Sequence, residues 1–174
     1  MRIFIAMKSI CTLILLFCSS LAFGQTAAPI TTSTPAPSVN FCGQNLEVTE
    51  GCTSTSPYQI KCDKYDMTWI YMDYAVMKTA PEEFARQMKR EHKRTDMAPF
   101  ECYISGKPAK GFKLSYMTDA GGMAYQLIVS GVANGQPVLV QLTLDIDPYK
   151  NEDIPALPRQ IVQLTPTTQL TTAK

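Results

Sequence analysis

Four of the six cysteines, a single histidine and one dense run of carboxylates are the groups in this chain whose chemistry can be judged from spacing. Cys42, Cys52, Cys62 and Cys102 follow one another at intervals of ten, ten and forty residues. A zinc site asks for close Cys/His pairs, and a thioredoxin-type centre asks for C-x-x-C; neither spacing occurs. An even set of cysteines in a chain built for export, as the N-terminus argues below, reads instead as a disulfide framework with three connectivities open to it. Cys42–Cys52 with Cys62–Cys102 is the preferred pairing. The first bridge closes a Gly- and Thr-rich loop, and the second ties the segment before a helix to the strand after it. On the chain-entropy model, a loop of about 40 residues is worth roughly 4 kcal/mol.

His92 is the one histidine, so Ser-His-Asp, Cys-His and two-histidine metal sites lack a second supporting feature. Beside Lys93 and Arg94 it reads as an exposed residue at a helix end. The cations Arg86, Lys89, Arg90, Lys93 and Arg94 read as a solvated helix face. The acidic run Asp145–Asp153 departs from the calcium loop of an EF-hand. Lys150 stands where glycine is needed, and Ala156 stands where a bidentate glutamate is needed. Phosphate-cradling and nucleophile-elbow motifs are absent from the sequence. No catalytic, cofactor or metal residue is assigned.

The N-terminus carries Arg2 and Lys8, an apolar stretch from Ile10 to Phe17, and small residues Ala22 and Gly24. This is the pattern of a secretory signal cut before Gln25, with Met1 or Met7 as the start. The apolar stretch is far shorter than the roughly 20 residues of a membrane-spanning helix. Cleavage removes Arg2, Lys8, Cys11 and Cys18 and takes the formal net charge from +1 to −1. Such a neutral chain has no electrostatic pull toward nucleic acid. Residues 25–40 are uncharged and rich in Thr and Pro, the composition of a disordered tether. Residues 41–165 are long enough for one domain with its own core, and 166–174 read as a flexible tail.

Within that domain, Tyr58–Asp63 alternates as a short strand, and Met67–Val76 is apolar on both faces, as in a covered strand. Thr79 with Glu82 and Pro81 spells a capping box at the start of a helix over Pro81–Lys93. Four alternating runs follow, centred on Phe100–Ile104, Phe112–Tyr116, Tyr125–Ser130 and Val138–Ile146. Turns at Gly106-Lys107-Pro108, Asp119–Gly122 and Asn134-Gly135 separate them. They predict an antiparallel meander with one buried face and one wetter face. Asn151–Asp153 caps a last helix from Ile154 to Leu164, its leucine and isoleucine positions facing inward. The expectation is an α+β two-layer sandwich: an antiparallel sheet of five to six strands, with two helices on one face. Trp69 and its aromatic neighbours read as core filling; if Trp69, Tyr71 and Tyr103 instead share the sheet face away from the helices, they form an aromatic binding surface.

The order strand, strand, helix, meander, helix, with the turn Ile104–Phe112, resembles the PsbP-like sandwich superfamily over roughly Tyr58–Leu164. That superfamily includes photosynthetic extrinsic proteins and exported bacterial proteins. The cysteines are not part of its pattern. The resemblance implies a non-catalytic module acting through its surfaces, and no family site residue carries over. The expected function is therefore an exported, non-enzymatic accessory domain, periplasmic or extracellular, that binds a protein partner. A hydrolase using a carboxylate pair, or a small-ligand carrier, is the alternative. Mass spectrometry of the secreted protein is expected to place its first residue at Gln25; an uncut Met1 or Met7 would refute the signal.

Overall fold

The computed structural model describes residues 38–92 and 94–166. The expected signal (1–24), tether residues 25–37, Lys93 and the tail from 167 lie outside the described residues. Strands β1 (Ser38–Phe41) and β2 (Gln44–Glu47) form a separate hairpin. The main sheet holds β3 (Cys52–Thr53), β4 (Gln59–Cys62), β5 (Tyr65–Tyr71), β6 (Asp96–Ile104), β7 (Lys107–Met117), β8 (Met123–Ala133), β9 (Gln136–Leu144) and β10 (Val162–Gln163). Its order is β10-β6-β7-β8-β9-β5-β4-β3, antiparallel throughout. Helix α1 spans Ala80–Glu91, and α2 is a single turn, Ala156–Arg159.

The centre of this sheet is apolar on both sides, and that decides the layering. Along β8, Leu127 and Val129 enter one core while Ile128 enters the other; along β9, Val140 and Leu142 oppose Leu139 in the same way. Side chains alternate across a strand, so a strand buried at every position needs two covers. The first cover is the β1–β2 hairpin, through Val39, Phe41 and Leu46, together with Ile154, Leu157 and Ile161 of the C-terminal segment. The second is α1, which lays Ala85, Phe84 and Met88 over Leu114, Ile128 and Leu139.

The expected five-to-six-stranded sandwich with both helices on one face therefore does not form. Eight strands and a second small sheet dominate, and the two short helices lie on opposite faces. The long C-terminal helix is also replaced. A 3-10 turn at Asn151–Asp153 leads to one α-turn, and then β10 pairs with β6. Pro155 and Pro158 offer no N–H, which leaves little of a helical ladder to propagate. Strand β5 ends at Tyr71, so Met72–Thr79 becomes a connecting loop. Thr79 turns its hydroxyl back to the Val76 carbonyl (3.3 Å) and does not cap α1.

Trp69 anchors the hairpin side. It is fully buried, with Phe41 edge-on at 5.5 Å and Tyr58 edge-on at 6.5 Å. The Tyr71 hydroxyl accepts from the Cys42 amide at 2.9 Å, and Asn134 Nδ2 donates to the Cys42 carbonyl at 2.7 Å, so the hairpin tip is held from two places. Gly111 lets β7 approach β8 closely: a Cβ there would strike the Ile128 carbonyl and lie 2.7 Å from the Val129 Cα.

Trp69→Ala is expected to cost about 3–5 kcal/mol in urea unfolding, the usual toll of emptying a large aromatic site. Gly111→Ala is expected to cost about 2 kcal/mol, because the collision is with backbone and no rotamer relieves it. Parent-like stability of the alanine variant would refute that close approach.

Candidate functional site

Of the cysteines, the structure joins Cys52 to Cys62, leaving Cys42 and Cys102 unbridged. This replaces the preferred pairing of Cys42 with Cys52 and Cys62 with Cys102. The reason is strand register: Cys52 and Cys62 are direct cross-strand partners, with Cα atoms 4.2 Å apart. Cys102 lies inward on β6 in the hairpin-side core, where burial pushes its thiol up to about 12. Cys42, half-buried in the hairpin turn, is also raised by burial, a shift partly opposed by Tyr71. Both thiols are thus protonated and poorly nucleophilic at neutral pH.

The aromatic trio does not assemble. Trp69 is core, and Tyr71 lies on the same face and serves the hairpin. Tyr103 is on the opposite face of β6, next to inward-facing Cys102 and Ile104, and pairs with Pro108. His92 is half-buried, not exposed, and stacks on Tyr116 with ring centroids 4.0 Å apart.

The acidic run is consumed by local structure. Asp147 accepts from Lys113 Nζ and from the Tyr149 hydroxyl, each at 2.7 Å, and that ammonium lies 5.1 Å from the Tyr149 ring centroid. Burial alone would raise the Asp147 carboxyl, but the bonds from Lys113 and Tyr149 outweigh it and hold it below the ordinary value. Asp153 accepts from the Tyr149 and Lys150 amides, which lower it. Asp63, Asp66 and Asp145 border a shallow cleft of about 330 Å³, where Gln59 Nε2 bonds Asp66 at 3.1 Å. Among the described residues no three His, Cys, Asp or Glu side chains converge as a metal site.

The best-formed concavity lies elsewhere, on the α1 side of the sheet. It is a recess of about 590 Å³ between the loop leading into α1 and the outer parts of β7 and β8, within the range of small-molecule sites. Met77, Pro81, Phe112 and Val132 supply apolar wall. The Ser130 hydroxyl donates to the Met77 carbonyl at 2.7 Å, so it pins the loop over the sheet. Lys78, Lys107 and Lys110 stand exposed among the lining residues, which include no carboxylate. Lys110 meets Glu101 at 2.9 Å, but both side chains are more than two-thirds exposed, and such a pair is weak.

The sequence hid this recess. Lys107 and Lys110 read only as residues of a hairpin turn, Met77 and Lys78 as the link between a strand and a helix, and nothing in their spacing joins them. No family model matches the chain, and no curated protein matches it. Among the described residues no helix is long and apolar enough to cross a membrane.

A thiol reagent applied to native protein is expected to modify Cys42 slowly and to reach Cys102 only after denaturation. Rapid labelling of both would refute the burial of Cys102. Asp147 has a depressed folded pKa, so its contribution to stability is present above the unfolded carboxyl value, about pH 4, and is lost as pH falls through the folded one. Asp147→Asn is therefore expected to be less stable than the parent at neutral pH, with the gap narrowing in strong acid. A gap constant with pH in urea titrations would show that the carboxylate charge is not what matters.

Proposed function

We propose that this protein is an exported, non-enzymatic binding module of the cell envelope or extracellular space, and that the recess beside α1 is where it binds. The recess itself carries the reading: a preformed apolar hollow with a cationic rim is a binding geometry, whereas the carboxylates lie in a shallow cleft or bond to neighbouring side chains and amides. The Cys52–Cys62 bridge fits an oxidising compartment, in keeping with the signal read at residues 1–24.

Native mass spectrometry of protein recovered from its exported location is the test. A small-molecule adduct is expected, and Val132→Trp, which fills the recess, is expected to abolish it while preserving the thermal melt. Absence of any adduct, together with glycan hydrolysis that depends on Asp66 or Asp145, would favour the carboxylate-pair hydrolase instead.

A second reading is a protein partner, with the domain acting as an accessory or immunity-type subunit. It is favoured by Met117 and Met123, which are paired at the tip of the β7–β8 hairpin and about half exposed, with exposed Ile146 just beyond β9. A photo-crosslinker at Met123 is expected to give one discrete protein adduct in the exported compartment. Failure to crosslink there removes this surface as the docking site.

A further inference from the structure

We infer that the recess beside α1 takes a monomeric, single-chain anionic amphiphile, of the kind typified by a medium-chain carboxylate. The inference rests on the binding-module reading and adds the chemical class of the ligand. Two properties of the recess select it. Its interior offers an aliphatic tail nothing that needs a hydrogen bond: Met77, Pro81, Phe112 and Val132 are apolar, and the Ser130 hydroxyl is already committed to the Met77 carbonyl at 2.7 Å. Its charged side chains are all of one sign and all at the surface. Lys78 comes from the loop into α1, and Lys110 from the opposite wall on β7, where it pairs with Ser130; Lys107, paired with Ile104, belongs to the other face of that strand.

Among the described residues Lys78 makes no ion pair, and Glu101 pairs with Lys110 while Glu82, next to Pro81, pairs with Arg86. Long lysine stems can lie along an apolar tail while their ammonium groups meet an anionic head in water. A cationic amphiphile would find no counter-charge here. A wholly polar anion such as phosphate would leave the apolar wall unused. About 590 Å³ suits one chain and its head.

Isothermal titration of the full mature protein with dodecanoate, below its micelle concentration, is the test. Dodecyltrimethylammonium and inorganic phosphate serve as the charge-reversed and tail-free arms. One-to-one saturable binding of dodecanoate is expected. The affinity should weaken about two- to four-fold for each methylene removed from the tail, as burial of apolar area requires. Lys78→Glu with Lys110→Glu, on the exposed rim, should weaken dodecanoate at least ten-fold and leave the thermal melt unchanged. Val132→Trp should abolish binding.

Equal binding of the ammonium amphiphile, or full dodecanoate affinity in Val132→Trp, would overturn the proposal. So would sedimentation with anionic phosphatidylglycerol vesicles combined with no binding of free dodecanoate, because the rim would then serve a membrane surface. If dodecanoate fails to bind while native mass spectrometry still finds an adduct that Val132→Trp removes, this ligand class is wrong and the binding-module reading stands.

Discussion

A sheet that is greasy on both faces cannot stand in water with one face bare, and most of this architecture follows from that constraint. Strands β8 and β9 bury Leu127, Val129, Val140 and Leu142 on one side and Ile128 and Leu139 on the other. At about 25 cal/mol per Å² of apolar surface, exposing either set would cost several kcal/mol, a large share of a domain's net stability. The hairpin with the C-terminal segment covers one face, and α1 covers the other. Neither cover is long, and the hairpin is fastened at its tip by Tyr71 and Asn134.

The candidate binding recess arises from the same constraint, incompletely met. Helix α1 is twelve residues long, and its packing is concentrated on Leu114, Ile128 and Leu139. Beside its N-terminus, the outer parts of β7 and β8 face Pro81 and, from the connecting loop, Met77 and Lys78, with the loop drawn down by the Ser130–Met77 hydrogen bond. The space left there is apolar because it continues a core face, and its rim is cationic because Lys78 of the loop and Lys110 of β7 end there. Site and scaffold are thus one feature. A longer helix, or a bulkier residue than Val132, would close the hollow.

How far the candidate site could be read in advance depended on the range of its contacts. The Cys52–Cys62 bridge follows from pairing β3 with β4, and a two-residue strand such as β3 leaves no periodic trace. Trp69 and Tyr71 were legible as large residues on a covered strand. Which face Tyr103 joined depended on where β6 fell in the sheet order. His92 looked like one cation-flanked residue among several, because only the fold brings Tyr116 beneath it.

Local pattern alone determined the meander from β6 to β9, its turns and the place of α1, because alternation, Asn134-Gly135 and the Pro81–Glu82 start act between near neighbours. It also marked the Asp145–Asp153 run as turn and cap more than metal loop. Tertiary structure alone decided the number of strands, the opposite placement of the helices, the conversion of Ile154–Leu164 into a turn and an edge strand, and the disulfide partner. The physical reason is that each of these was settled by what lay across the sheet. Ile128 and Leu139 are ordinary apolar residues in the chain, and only their shared, otherwise exposed face required a second layer.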